Sequence, residues 1–260
     1  HPDVRLDHVI EYGEPMHDAG YYFMDSPGND LESIAGQVAA GSNIIFFVTG
    51  NGSITNFPFV PTIKIVTTTD RYNLLKKDMD VNAGAYQDGE PMEKLGTSML
   101  NLTVETASGT PSIGEKAGHS QVSIWRNWQQ NDANKTDQIL NAPKPEGQPI
   151  PISTPKSSNR NFLAIQTQNG PKTDQIGLVL PTSLCSGQIA QLIAKQLNQR
   201  KLGQGRGISR FVALAHTEGC GASGGSSERL YAQTLIGHLL HPIVGLGVLL
   251  EHGCEKTHND

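Results

Sequence analysis

Apolar residues near the start of the chain recur with the spacing of an amphipathic helix. Through 31–38 they fall three to four residues apart, which places them on one helical face. Asn29 or Asp30 stands where an N-cap is expected, and Gly41 follows where the helix would end. The pattern therefore predicts a helix between these two signals.

Two strands and two further helices are predicted after this helix. The run "NIIFFVTG" is short and apolar, which is typical of a buried strand, and "TIKIVTTT" is β-branched and alternates between apolar and polar residues. The two helical segments have apolar residues at helical spacing. The strands are predicted over 43–50 and 62–69, and the helices over 71–79 and 92–108.

The second half of the chain alternates regularly between apolar strands and amphipathic helices. A possible hairpin arm over 161–170 comes first. Continuous apolar strands separated by helices are typical of a parallel sheet that helices cover on both faces. The strands are predicted over 175–182, 210–217 and 244–251, and the helices over 186–199 and 226–240.

A polar segment separates these two halves. Residues 129–160 contain five prolines and few large apolar side chains, so this segment cannot pack a core and is predicted to be a linker. The fold class is therefore α/β with two lobes, 1–128 and 161–260. The second lobe is predicted to be a Rossmann-like, doubly wound parallel sheet, which looks incomplete with three strands.

Composition narrows the classes of partner and compartment. The formal charge is −5 and the pI is about 6.0, so no basic surface is available for nucleic acid. No apolar run approaches the roughly 18 residues of a membrane span. Three cysteines cannot close a disulfide framework, which favours a reducing, cytoplasmic location.

The three cysteines each follow the carboxyl end of a predicted strand in the second lobe. Cys185, Cys220 and Cys254 lie in loops that contain glycine or polar residues. In an open parallel sheet these ends face one crevice, where ligands bind. His216 shares a loop with Cys220. Nitrogen and sulfur ligands suit a divalent transition metal, so these four residues are the predicted metal ligands.

Titratable groups around the last cysteine predict acid–base chemistry. A lysine, or a histidine that does not bind metal, can act as a general base when its pKa lies near neutrality. Glutamates such as Glu251, Glu218 and Glu255 can instead orient the histidines. The predicted catalytic residues are His252, Lys256, Glu251 and His258.

Glycine-rich loops after strands predict a site for an anionic substrate. The loop after the first strand and the run "GCGASGGSS" before a helix both expose backbone N–H groups that can bind a carboxylate or phosphate. Neither loop has the spacing of a nucleotide-binding motif. The predicted substrate-binding residues are Gly50, Asn51, Gly52, Ser53, Asn82, Gly221 and Ser223.

The motifs "HTEGCG" and "HGCEK", with the Cys185 loop, resemble the middle domain of the galactarate dehydratase/altronate dehydratase family. The stretch from "FFVTGNGSITN" to "DMDVNAG" resembles the C-terminal domain of that family. Together they cover most of 40–110 and 161–258. In the family the middle domain precedes the C-terminal one, whereas here the order is reversed.

This resemblance implies a hydro-lyase that converts a sugar acid, an aldonate or aldarate, to a 2-keto-3-deoxy acid. It also implies a divalent metal, typically Fe²⁺, with Mn²⁺ as a second choice. A metal that holds the carboxylate and 2-hydroxyl would stabilise the charge that forms when a base removes the adjacent proton.

Three alternatives stay open. The cysteines could hold a [4Fe–4S] cluster with one open iron. Cys220 could be a nucleophile with His216 as its base. The chain could also be a non-catalytic module that binds sugar acids. In each case the incomplete sheet would leave an open edge, which a second copy or the remaining segments of a longer chain would cover.

Overall fold

The computed structural model describes residues 5–129, 131–143, 160–220 and 224–255. Together they form an α/β fold with two parallel sheets of three strands. The first lobe contains β1 (His8–Ile10), β2 (Tyr22–Met24), α1 (Asp30–Ala39), β3 (Ile45–Thr49), β4 (Thr62–Val66), α2 (Thr69–Leu74), β5 (Val81–Asn82), a 3-10 helix (Ala83–Tyr86), α3 (Met92–Ala107) and α4 (Ile113–Ala117). Helix α5 (Ala133–Leu140) follows in the segment between the lobes. The second lobe contains β6 (Ile165–Thr167), β7 (Gly170–Lys172), β8 (Ile176–Pro181), α6 (Leu184–Gln199), β9 (Phe211–Ala213), α7 (Gly225–Leu239) and β10 (Val244–Leu250).

Helix α1 begins and ends at the residues that the sequence predicts. The Asn29 side chain accepts hydrogen bonds from the backbone N–H groups of Leu31 and Glu32, which satisfies donors that the first turn leaves unpaired. Gly41 lies just beyond the helix with φ +113°, a conformation that favours glycine. The predicted helix is confirmed.

The first sheet has the order β3-β4-β5, with all strands parallel. Ile63 and Ile65 of β4 pack with Leu95 and Met99 of α3 on one face. On the opposite face, Thr62 and Lys64 pair with Ile45 and Phe47 of β3, which pack in the main core. All five residues of β4 are buried because the strand is central and both faces are covered, so the predicted alternation does not produce a solvent-facing side.

The second sheet has the order β10-β8-β9, again entirely parallel. Helix α6 packs against β8 and β9 on one face, where Val179 and Phe211 meet Ala190 and Ala194. Helix α7 lies on the other face, against the main core. Strands β6 and β7 form the predicted hairpin.

Both apolar edge strands are more exposed than their sequences predict. Phe46 and Val48 of β3 are 51% and 63% exposed, and Leu246 and Val248 of β10 are 47% and 44% exposed. The predictions that β3 is a buried strand and that helices cover β10 on both faces are therefore wrong. Each lies at an edge of its three-stranded sheet, so fewer neighbours cover its side chains.

The two lobes share one hydrophobic core. Helices α1 and α7 pack together, and the His238 ring Nε2 lies 2.9 Å from the Ala35 carbonyl oxygen. The core contains residues from both halves of the chain. They are Ile34, Ala35, Val38, Ile45, Phe57, Phe59, Val60, Val122 and Ile124 from the first lobe, and Ile176, Leu178, Leu180, Leu214, Tyr231, Leu235 and Ile243 from the second.

The described part of the predicted linker contains helix α5, none of whose residues is buried. Residue 130 and residues 144–159 lie outside the described residues. Within the described ranges, no helix combines the length and the hydropathy that crossing a membrane requires.

Candidate metal centre

The three cysteines meet at the carboxyl edge of the second sheet. Cys185 lies in the first turn of α6, Cys220 follows β9 and Cys254 follows β10. The Sγ–Sγ distances are 3.0 Å between Cys185 and Cys220, 3.6 Å between Cys220 and Cys254, and 3.8 Å between Cys254 and Cys185. All three side chains are exposed, so the group is open to an ion and a ligand.

A glycine lets two of the cysteine loops approach each other closely. Gly219 has φ +98°, and a Cβ atom there would lie 2.5 Å from the Thr182 carbonyl oxygen and 2.7 Å from the Ser183 Cα. The Leu184 N–H also donates to the Glu218 carbonyl oxygen at 2.7 Å. A side chain at position 219 would therefore separate the loops that carry Cys185 and Cys220.

Glu255 is buried behind the cysteines and binds the loops around it. Its Oε1 accepts hydrogen bonds from the His252 N–H at 2.9 Å and the Thr182 hydroxyl at 3.1 Å, and its Oε2 accepts one from the Gly253 N–H at 2.7 Å. Burial raises the pKa of Glu255, but hydrogen bonds from the His252 N–H, the Ser183 side chain and the N–H groups of Glu255 and Gly253 outweigh it and lower the pKa to about 2. The carboxylate is therefore ionised at neutral pH.

Hydrogen bonds among the sulfurs separate the pKa values of the three thiols. The hydrogen bond to Cys220 raises the pKa of Cys185 to about 12. The hydrogen bond between Cys254 and Cys220 likewise raises the pKa of Cys254. The pKa of Cys220 is lowered, chiefly by the hydrogen bond from Cys185. Cys220 is therefore the thiol of the three that loses its proton most readily, and a bound cation would displace the protons of the other two.

The sulfur spacing suits a single metal ion. A tetrahedral ion with metal–sulfur bonds of about 2.3 Å holds its sulfurs about 3.8 Å apart. Two of the three Sγ–Sγ distances are 3.6 and 3.8 Å, and only the 3.0 Å distance would have to lengthen. Three thiolates on one side of the ion would leave a coordination position for a substrate oxygen.

The structure does not bring His216 into this group. Its ring is buried, Nε2 lies 2.8 Å from the Pro181 carbonyl oxygen, and Nδ1 accepts the Glu218 N–H at 3.2 Å. These contacts assign the ring proton to Nε2 and occupy both nitrogens. Burial also lowers the pKa of His216, so the ring is neutral. His216 holds the Cys220 loop against the end of β8, and the described ligand group is cysteine alone.

Two of the four predicted catalytic residues lie within the described part of the chain. Glu251 and His252 are described, and both side chains are exposed beside Cys254. The His252 backbone binds Glu255, which fixes the start of this loop. Lys256 and His258 lie outside the described residues.

The predicted substrate-binding residues of the first lobe lie at the carboxyl edge of its own sheet. Gly50 to Ser53 follow β3, and Asn82 ends β5. The N–H groups of Asn51 and Gly52 donate to the Thr49 hydroxyl oxygen at 3.3 and 3.1 Å. These two groups therefore stabilise the loop rather than point toward an anion. Gly221 and Ser223 lie outside the described residues.

Arg126 is a further candidate that sequence reasoning missed. It belongs to the first lobe, yet its Nε donates to the Glu218 carboxylate at 2.5 Å, two residues before Cys220. That hydrogen bond raises the pKa of Arg126, and the side chain is 67% exposed. Ninety-two residues separate the two partners, so no local pattern could have indicated the pair.

Two segments of the chain match domains of one known family. Residues 2–130 match the domain described as "D-galactarate/Altronate dehydratase, C-terminal", and residues 175–260 match "D-galactarate dehydratase/Altronate hydrolase, second domain". The chain belongs to the D-galactarate/altronate dehydratase family. In this member of the family the C-terminal domain comes before the second domain, as its motifs indicate.

Several curated proteins resemble part of the chain. The altronate dehydratases of Bacillus subtilis and Escherichia coli are 32% and 30% identical to it over 119 and 118 residues. Each match covers 45% of this chain and 24% of the relative, so the chain spans about a quarter of the length of these enzymes. The (2R)-sulfolactate sulfo-lyase subunit beta of Chromohalobacter salexigens is 27% identical over 123 residues, which are 47% of this chain and 32% of the subunit.

Proposed function

We propose that this chain supplies the metal centre of a hydro-lyase that dehydrates a sugar acid to a 2-keto-3-deoxy acid. The triangle of three exposed cysteines at the carboxyl edge of a parallel sheet is the observation that carries this proposal. Membership of the D-galactarate/altronate dehydratase family supports the substrate class, an aldonate or aldarate such as altronate or galactarate.

Cys185, Cys220 and Cys254 would hold the ion, which we propose to be Fe²⁺. Thiolates suit Fe²⁺ better than Mn²⁺, which prefers carboxylate and water ligands. In a [4Fe–4S] cluster the cysteines bind different iron atoms and stand farther apart than thiolates on one ion, so the short Sγ–Sγ distances favour a single ion. When bound, the ion would act as a Lewis acid toward the carboxylate and 2-hydroxyl of the substrate.

The residues around the cysteines would provide binding and proton transfer. The terminal N–H groups of Arg126 are available to pair with a substrate carboxylate, because Glu218 engages its Nε. His252 is exposed beside Cys254 and would remove the weakly acidic proton next to that carboxylate. Glu251, Lys256 and His258 are the other proposed acid–base groups. Asn82, Gly221, Ser223 and the groups of the loop 50–53 other than the Asn51 and Gly52 N–H groups are proposed to bind the rest of the substrate.

A second candidate function is an elimination in which a sulfonate group, rather than a hydroxyl group, leaves the substrate. One relative is named as a sulfo-lyase subunit that acts on (2R)-sulfolactate, which also carries an acidic proton beside a carboxylate. The same base and carboxylate-binding group would serve this elimination. We therefore include a sulfonated hydroxy acid among the test substrates.

The setting of the site is also part of the proposal. Three free thiols fit a reducing compartment, and we propose the cytoplasm. The exposed apolar side chains of β10 would be covered by a second copy of the chain or by the remaining segments of a longer protein. We propose neither a nucleic-acid nor a membrane partner.

Metal analysis of anaerobically purified protein tests the proposal directly. We expect about one Fe²⁺ per chain by mass spectrometry, and its loss in Cys185→Ser, Cys220→Ser and Cys254→Ser. Ser33→Ala, on α1 of the other lobe, should retain the metal. The loaded protein is then assayed with hexonates, hexarates and sulfolactate for formation of a 2-keto acid.

Each outcome separates the alternatives. About four irons with sulfide would replace the single ion with a cluster. Substrate binding without turnover would favour a non-catalytic module. Alkylation of Cys220 that abolishes turnover while the metal stays bound would favour nucleophilic catalysis by this cysteine. Protein that binds no metal under any condition would overturn the metal-centre proposal.

A further inference from the structure

One residue, Glu255, contacts all three loops that carry the cysteines, two of them through its carboxylate and one through its backbone. Thr182, which donates to Glu255, lies three residues before Cys185. The His252 and Gly253 N–H groups, which also donate to it, come directly before Cys254. The backbone of Glu255 completes the set, because it forms an antiparallel β-bridge with Cys220. Each loop is therefore tied to this residue within three positions of its cysteine.

We infer that Glu255 is a positioning residue that holds the three cysteine loops together so that their sulfurs can share one metal ion. This inference rests on the proposed metal centre, but it adds a residue with a defined structural role. Glu255 does not contact the ion or the substrate. It acts on the ion only through the placement of the thiolates.

The chemistry of the contacts requires a carboxylate. Glu255 is only 7% exposed, and its three side-chain partners are all hydrogen-bond donors. A carboxylate accepts at both oxygens, whereas the glutamine amide would direct an N–H₂ group at one of these donors. Glu255→Gln therefore keeps the size of the side chain but leaves a buried donor unpaired, which loosens the loop.

Binding of Co²⁺ to the metal-free protein under anaerobic conditions measures the position of the sulfurs. Charge-transfer absorbance from thiolate to Co²⁺ grows with the number of thiolates bound, so Cys254→Ser gives the reference value for a site with one sulfur missing. We expect Glu255→Gln to bind Co²⁺ about 10- to 100-fold more weakly, with absorbance near that reference. Glu93→Gln, an exposed glutamate on α3, should match the wild type.

The outcomes distinguish this inference from the metal centre itself. Equal affinity and absorbance in Glu255→Gln and the wild type would overturn the role of Glu255 and leave the metal centre standing. Wild-type protein that binds no Co²⁺ would overturn both.

A second variant carries the test if Glu255→Gln does not fold by circular dichroism. Thr182→Val removes one donor to the carboxylate and should weaken Co²⁺ binding about tenfold. Unchanged binding in that variant would contradict the inference.

Discussion

Lys64 places an amine in the centre of β4 with no exposed surface. Its Nζ has no hydrogen-bond partner among the described residues. Burial lowers the pKa of Lys64 because it disfavours the charged form, and the charges of Asp80 and Asp78 only partly oppose this. Between the folded pKa and the ordinary lysine value of about 10.4, the unfolded chain binds more protons. The free energy of unfolding therefore rises with pH across that interval, and the cost of burying the charge is greatest below it.

Replacing Lys64 with methionine should remove this cost. We expect Lys64→Met to raise the free energy of unfolding by about 1 kcal/mol or more near pH 7, because an apolar side chain of similar length removes the cost of burying the amine. The gain should be smaller at about pH 10 than at about pH 7, because the unfolded chain also loses this proton as the pH approaches the ordinary lysine pKa of about 10.4. Urea denaturation at both pH values measures the difference. The exposed Lys77→Met serves as the control, and a gain in stability that does not depend on pH would contradict the charge-burial argument.

The backbones of the Cys185 and Cys220 loops approach each other closely at Gly219. Substitution of this glycine tests whether the site depends on that approach. Gly219→Ala should lower the free energy of unfolding by about 2–3 kcal/mol and weaken Co²⁺ binding at least tenfold, because the new Cβ meets the Thr182 carbonyl oxygen. Gly89 has a nearly identical φ, +96°, with no atom near a Cβ. Gly89→Ala should therefore incur only the backbone cost of about 1 kcal/mol and leave Co²⁺ binding unchanged. Thermal unfolding and Co²⁺ titration of both variants separate steric contact from backbone strain.

Local patterns predicted the helices and strands well but predicted their burial less well. The N-cap at Asn29 and the strand–helix alternation of the second lobe depend on neighbouring residues, so the sequence shows them directly. Burial depends on whether a strand is central or at an edge. The alternating strand β4 is therefore buried at every position, whereas the continuously apolar strand β10 is largely exposed.

The part of the candidate site that could be predicted from the sequence is the part that follows from the parallel order of the strands. The cysteines meet because parallel strands bring their carboxyl ends to one edge. The contacts of Glu255 with Thr182 and of Arg126 with Glu218 join residues 73 and 92 positions apart, and no spacing rule connects them. His216 was predicted to be a ligand because it shares a loop with Cys220, but its ring is buried against the Pro181 carbonyl oxygen.

At the scale of the whole molecule, the shared core couples the two lobes. Helix α7 of the second lobe packs on α1 of the first, and Leu235 of α7 is buried in that common core. Both tryptophans, Trp125 and Trp128, belong to the first lobe, so their fluorescence reports its unfolding. A cavity made in the second lobe should therefore lower the unfolding midpoint measured by tryptophan fluorescence in the first lobe, because the same core stabilises both lobes.

Leu235→Ala tests this coupling. The substitution should cost about 2–4 kcal/mol and shift the urea midpoint of tryptophan fluorescence to lower concentration. Leu192→Ala, on the exposed side of α6 in the same lobe, should leave the midpoint nearly unchanged. If the lobes unfolded independently, Leu235→Ala would alter the circular dichroism transition and leave the fluorescence midpoint in place. A common shift would mean that the geometry of the cysteines depends on the first lobe as well, because the sheet that carries them does not fold alone.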